Sequence, residues 1–450
     1  MTSDAQIRAP IEYPGDSTNP LSLVPPWLCK LLLLGIFAYF AIYHIHHERK
    51  DHGGHLGDFH TFYQAGQFVV LHRDIYTAGP NSSQMYVYPP LTAVLCAPLS
   101  HLSILTAAHV WLIVNVLALL ISVLLGARAM LLRMGIQNAA APWIAALLVA
   151  LLSENELRAV LTMLETDPIM LLMFTLALWY LDEKPVVSGL ALAFAFNIKY
   201  LPIVALPLLL VRRRWTAAIT MILGSIFFAL APALVLGWHE DLRCLRVSMG
   251  GLLRWVGISP EASGSIKVHD IGDSLSVSVT SMLGRVLRPH EVTNSQVMVV
   301  AAGVGALCLA VVQSIYRFRK LPMWRWPTAR MQSQFPFRSL LAMEWAGMIT
   351  IALAFSPDTN TRHLVLAVLV NALGAAVVLK SGVGSYRLVA WAGMIVILLG
   401  FIMPFGVKGS AIHQFYFYYS IPGWSLLIGY LLILWSALAA IARNGRSKSN

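Results

Sequence analysis

Apolar runs separated by short polar breaks set the pattern of this chain. Eight runs, at 28–44, 107–130, 216–236, 297–315, 340–355, 364–379, 389–403 and 424–442, approach the roughly 20 residues a helix needs to cross about 30 Å of hydrocarbon. Shorter apolar pieces fall at 89–99, at 143–152 and on both sides of Lys199, at 186–196 and 200–211. An 11-residue helix is only about 17 Å long at 1.5 Å per residue. At least one of these pieces is therefore expected to be re-entrant, broken or half of a longer helix. Irregular backbone survives at membrane depth only where it is buried or lines a wet cavity, so a cavity is expected in the first half. The pattern predicts an all-α, polytopic bundle of about 11–13 spans. A tail at 1–27 and another at 443–450 flank a single membrane domain at 28–442. No internal repeat of the kind that builds inverted-repeat transporters stands out.

Two polar connections are long, at about 46–86 and 238–296. Within the first lies GDFHTFYQAGQFVVLHRDIY (57–76), where Phe59, Phe62, Tyr63, Gly66 and Phe68 recur at helical spacing. Too short and polar to span, it predicts an amphipathic helix in the membrane interface. Asp58 falls at its N-cap, where a carboxylate can bond free backbone N–H groups. Capping and chemistry are both open to Asp58. The next stretch, MYVYPPL (85–91), suits the first turn of a helix, where proline's missing N–H costs nothing. Tyr86 and Tyr88 also fit an aromatic belt at the membrane surface.

Composition agrees with the run pattern: 58% of residues are hydrophobic and 12% charged, against about 25% charged in soluble domains. The net charge of +11 is not a nucleic-acid footprint, because Lys and Arg gather in RRRW (212–215), in 317–338 and at the C-terminus. By the positive-inside rule those regions are cytoplasmic. The loops at 46–86, 238–296, 356–362 and 404–422 then face outward, as expected for an integral plasma-membrane protein. Cys29, Cys96, Cys244 and Cys308 show no CxxC spacing and read as small hydrophobes. The first apolar run lacks a small-residue cleavage site after it, which reads as an uncleaved anchor.

Several polar residues interrupt apolar surroundings. Lys199, in AFNIKYLPIV, is an ionisable group in the middle of a run, a functional signal by default. Glu165 and Asp167, in LTMLETDPIMLL, either line the same cavity or mark a helix start before Pro168. Arg362 and His363, in SPDTNTRHLVL, sit where a guanidinium fork beside a helix start makes an anion site; a solvated loop explains them equally well. His44, His46, His47, His52, His55 and His60 have no recognisable ligand spacing. Asp58 is not part of a DxD pair, so neither a metal nor a cofactor is expected.

Taken in order, these stretches resemble glycosyltransferase family 87, within the GT-C superfamily of integral-membrane glycosyltransferases. The carrying features are GDFHTFYQAG with the later DIY, then YPPL and CAPLSHL, then GLALAFAFNIKYLPIVALPLLLVRRRW, GDSLSVSVTSMLGRVL and SPDTNTRHLVL, over roughly 28–442. The resemblance implies a polyprenyl-phosphate sugar as donor, carrying mannose or another hexose, and a lipid or glycan as acceptor. It implies transfer with inversion on the extracytoplasmic face, among membrane lipids and without nucleic acid. Asp58 matches the catalytic carboxylate of the first outer loop, the general base. Lys199, with Arg362 and His363, would hold the departing phosphate. His60, Tyr63, Tyr88, Glu165, Asp167, Asp273 and Ser274 would line the substrate cavity. Two departures stand out: Leu164-Glu165-Thr166-Asp167 replaces the family's Gly-Gln-x-Asn, and the histidine-rich run before Asp58 has no family counterpart. A multi-span transporter or lipid-linked sugar flippase shares the helices and Lys199. The two long outer loops favour the enzyme.

Overall fold

The computed structural model describes residues 25–50, 56–76, 86–255, 271–321, 323, 335–357, 359–380, 384–402 and 410–446. Most of the amino-terminal tail, His52, His55, Glu261, Asp270, Asp358 and the extreme C-terminus lie outside the described residues. Among the described residues all regular structure is helical. Six helices among the described residues are long and apolar enough to cross a membrane: Pro26–His46, Ile104–Arg133, Trp215–Leu236, Asn294–Phe318, Phe337–Phe355 and Ile421–Ile441. Six shorter apolar helices accompany them, and together they fall inside the range the run pattern predicts.

The first polar connection holds α2 (Phe59–Val70), which follows the first span, α1 (Pro26–Lys50). Phe59 and Phe62 are fully buried and Tyr63 and Phe68 nearly so, so the aromatic stripe of this amphipathic helix faces protein. It is clamped against α3 (Pro90–Cys96), the 3-10 turn Ala97–His101 and the long α4 (Ile104–Arg133). The clamp is tight at Gly66, where a Cβ would stand 2.7 Å from the Cys96 carbonyl oxygen. The apolar piece at 89–99 is thus two short helical segments, Pro90–Cys96 and Ala97–His101, too short to cross.

After α4 the chain runs through α5 (Ala141–Leu152), α6 (Glu154–Thr162), α7 (Asp167–Tyr180) and α8 (Pro185–Ile198). The apolar runs and shorter pieces read from the sequence leave out α7, a 14-residue apolar helix. At Lys199 the backbone becomes extended (φ −142°, ψ 143°). A 3-10 turn (Leu201–Val204) and α9 (Ala205–Val211) then lead back. The run around Lys199 is therefore a broken helical hairpin with the lysine at its apex.

The two feet of that hairpin meet at one end of the bundle. Asp182, just before α8, pairs with Arg214, just after α9, and with Arg133 at 2.8 Å. Arg212 pairs with Glu344 of α15 (Phe335–Phe355). Ser339 Oγ donates to the Arg133 carbonyl at 2.6 Å and Lys380 Nζ to the Met134 carbonyl at 3.0 Å. Arg212 and Arg214 of RRRW are thus held in ion pairs rather than standing in a solvated loop. Beyond α9, α10 (Trp215–Leu230) and the short α11 (Ala233–Leu236) rise to the other end, where α12 (Trp238–Trp255) and α13 (Val279–Leu287) lie. The remaining helices are α14 (Asn294–Phe318), α16 (Val368–Leu379), α17 (Ser385–Phe401), α18 (Ala411–Tyr418) and α19 (Ile421–Arg446). Helices α17 and α19 pack along each other through Gly393, where a Cβ would sit 2.7 Å from the Gly429 carbonyl oxygen.

Candidate active site

The site is assembled on the turn that starts α2. Gly57 has φ +53°, and a Cβ there would stand 2.5 Å from the Met163 carbonyl oxygen. That space suits glycine alone. The close approach lets the Asp58 N–H donate to the same carbonyl at 2.9 Å. Asp58 occupies the N-cap position with helical backbone angles (φ −77°, ψ −12°) and makes no side-chain cap bond. Its carboxylate points away from the helix and meets Arg362, Oδ2 to Nη1 at 2.7 Å. The capping role left open by the sequence is not the one this side chain takes.

Across from it, residues 163–167 form a rigid bend. Leu164 is left-handed at φ +50°, a conformation costly for a branched residue and held by two side chains of α4. Trp111 Nε1 donates to the Leu164 carbonyl and Asn115 Nδ2 to the Glu165 carbonyl, both at 2.9 Å. Glu165 is thereby fixed with both oxygens engaged. Oε1 lies 2.8 Å from Arg362 Nη1; Oε2 accepts from the Tyr88 hydroxyl at 3.1 Å and lies 3.4 Å from Lys199 Nζ. Asp167, the first residue of α7, holds Lys199 Nζ at 2.6 Å. Of the two readings the sequence left open, it takes the helix start, and it holds the cation from behind instead of lining the cavity. His363 Nε2 stands 3.1 Å from Lys199 Nζ and 4.0 Å from Asp167 Oδ2. Asn360 accepts from Arg362 Nε at 3.3 Å.

Asp58 is therefore not a lone acid. Three carboxylates and two permanent cations interleave, with His363 beside them. Burial, and next the negative charge of Glu165, push the Asp58 carboxyl up to about 8. Burial would raise Glu165 too, but Lys199 and Arg362 hold it well below the usual carboxylate range. Within this tightly coupled pair the proton belongs on Asp58, the more exposed member and the one with fewer cations beside it.

Apart from Asp167, these groups form the polar part of the wall of a cavity of about 730 Å³. Phe196, Ile203, Val204, Met249, Ile351 and Phe355 supply apolar wall. Of the residues predicted for the site, Asp58, Tyr88, Glu165, Lys199, Asp273, Arg362 and His363 line the cavity. Asp167 stands behind Lys199. Tyr63 is not a wall residue: its hydroxyl donates to the Leu102 carbonyl at 2.8 Å, bracing α2 against the 3-10 turn. His60, two residues on from Asp58, and Ser274 are likewise not among the residues lining this cavity, and Ser274 borders a neighbouring one. Asn360 in the wall, and Trp111 and Asn115 behind it, are participants the sequence reading missed. An asparagine inside an apolar run was a usable signal for the last. Among the described residues no group of three or more His, Cys, Asp or Glu side chains is arranged to hold a metal ion.

The family model of "Glycosyltransferase family 87" matches residues 86–343, more than half of the chain. No curated protein matches the sequence. Among solved structures, ArnT from Cupriavidus metallidurans bound to undecaprenyl phosphate aligns over 94% of this chain and 79% of that one, at 15% identity and a TM-score of 0.39. The matched stretch takes in Tyr88, the Glu165–Asp167 bend, the Lys199 hairpin and Asp273, and the walls that Asp58 and Arg362 complete are those of a member of glycosyltransferase family 87.

Proposed function

We propose that this membrane glycosyltransferase moves a sugar, mannose or another hexose, from a polyprenyl-phosphate donor to a lipid or glycan acceptor on the extracytoplasmic face, with inversion. The observation that supports this most is the junction of Asp58 with Arg362, Glu165 and Lys199 in the wall of a cavity whose other walls are apolar. Apolar walls suit a prenyl chain, and the cations suit its phosphate. In the reaction an acceptor hydroxyl attacks the anomeric carbon from the face opposite the phosphate. The new C–O bond forms as the anomeric C–O bond to phosphate breaks, and the bonding pair leaves with the lipid phosphate. The hydroxyl proton passes to Asp58, a general base in hydrogen-bond reach. The leaving group already carries negative charge, so it calls for cations rather than an acid. Lys199 and His363 face it, with Arg362 bridging toward the base.

Glu165 and Asp167 have a different part. Both are buried against cations, so they orient Lys199 and Arg362 and keep them charged. Membrane fractions supplied with radiolabelled polyprenyl-phosphate sugars test the reading. Label should move into a new glycosidic product. Label that crosses the membrane with no new glycosidic bond would identify a transporter instead.

A further inference from the structure

A second cavity, of about 530 Å³, lies beside the first and shares one wall residue with it, Leu275. Its lining comes from α18 and the 271–276 turn: His413, Gln414, Phe415, Tyr418 and Tyr419 on one side, Ser274 and Leu275 on the other. Phe415, Tyr418 and Tyr419 are 56%, 40% and 43% exposed. They form one aromatic surface, with ring centroids 4.7 Å apart for Phe415–Tyr419 and 4.9 Å for Tyr418–Tyr419. Arg285 locks this surface to the first cavity. Its guanidinium donates to the Asp273 carbonyl at 2.5 Å and the Ser276 carbonyl at 3.2 Å. On the α18 side it donates to the carbonyls of Phe417 at 2.7 Å and Tyr418 at 3.1 Å, and to Ser420 Oγ at 2.7 Å. The two cavities therefore keep a fixed relation, with Asp273 in the wall of one and Ser274 in the wall of the next.

We infer that this aromatic cleft is the acceptor subsite and that the acceptor is a carbohydrate, whose terminal sugar passes Leu275 to reach Asp58. A pyranose has apolar C–H faces and a rim of hydroxyls. Electron-rich ring faces attract polarised C–H groups, while Ser274 and His413 in the lining offer hydrogen-bonding groups to the rim. An aromatic belt anchoring the protein in the interface accounts for exposed rings, but not for a concave site with polar side chains opening beside the catalytic cavity. An aliphatic acceptor chain would offer hydrogen bonds to neither Ser274 nor His413.

The inference rests on the transferase reading, and the test separates the two. Purified full-length protein in nanodiscs is titrated with methyl glycosides and disaccharides of mannose, glucose and galactose, followed by tyrosine and tryptophan fluorescence. At least one sugar should bind saturably. Tyr418→Ala and Tyr419→Ala should weaken that binding tenfold or more, and Ile412→Ala, on the same helix but outside the cleft, should not. With the labelled donor added, the tyrosine variants should lower the ratio of transfer to donor hydrolysis at least tenfold. Sugar binding that depends on the tyrosines, with no glycosidic product from any donor, would uphold the cleft and reject the transferase. Transfer that is insensitive to both tyrosines, binding of none of the sugars, or competition by short-chain lipid phosphates alone would overturn the cleft.

Discussion

At the scale of single residues, the site turns on how one guanidinium is shared. Arg362 Nη1 lies 2.7 Å from Asp58 and 2.8 Å from Glu165, so losing Asp58 leaves Arg362 still paired and in place. Asp58→Asn should therefore lower transfer by about 10²–10⁴, the usual worth of a positioned base, while donor binding measured with the labelled lipid changes little. Wild-type turnover in that variant would remove Asp58 as the base. The pH profile follows from the same geometry. A base acts only when ionised, so kcat/KM should rise with pH through about 8, the raised value of the Asp58 carboxyl, and level off above it. Glu165 contributes to that rise through its negative charge. Glu165→Gln should thus shift the limb to lower pH, and a limb that stays fixed would show the charge coupling to be unimportant. Glu165, Asp167 and Lys199 were legible in the sequence as polar residues in apolar surroundings, Arg362 and His363 as a candidate anion site at a helix start, and Asp58 as the acid at the start of the first-loop helix. Their convergence was not, because Asp58 and Arg362 are 304 positions apart and no local pattern encodes such a pair.

At the scale of elements, the site depends on α2 being held at close range. The run pattern showed α2 as an amphipathic helix but not what its stripe packs on, because a stripe of Phe and Tyr looks the same whether it faces lipid or protein. Gly66 carries the missing information: it brings α2 within reach of the Cys96 backbone, where no side chain fits. Opposing expectations make Gly66→Ala a sharp test. Helix propensity alone would stabilise the variant by about 0.5–1 kcal/mol. The clash with backbone atoms at 2.7 and 2.8 Å should outweigh this, at about 1–3 kcal/mol. The apparent Tm of the purified protein should fall and transfer should weaken, as the start of α2 moves Asp58. A raised Tm would mean that α2 is packed loosely. The long spans were legible because they are continuous apolar runs. The broken hairpin at Lys199 was half legible, as two pieces too short to cross with a charge between them. What the pieces could not say was that Asp182 and Arg214 close its feet.

At the scale of the whole molecule, the two ends of the bundle differ in chemistry, and that difference predicts which side each faces. One end gathers Arg133, Asp182, Arg212, Arg214 and Glu344 into ion pairs. The other gathers the first polar connection, the 271–276 turn and the 359–363 stretch around one cavity. The positive-inside rule counts Lys and Arg in short loops and gives little weight to acids. Pairing with acids therefore does not weaken the assignment of the arginine-rich end to the cytoplasm. On that assignment the cavity should open outward, toward the face on which we propose transfer. Two exposed positions test this. His290 precedes α14 at the cavity end, and Glu183 precedes α8 at the arginine end. In a background with the four native cysteines replaced by alanine or serine, His290→Cys should react with a membrane-impermeant maleimide in intact cells. Glu183→Cys should react only after permeabilisation. The reverse pattern would put the acid–cation cluster on the cytoplasmic side and overturn transfer on the extracytoplasmic face. Labelling of both positions in intact cells would contradict a bundle whose helices α8 and α14 carry these residues to opposite faces.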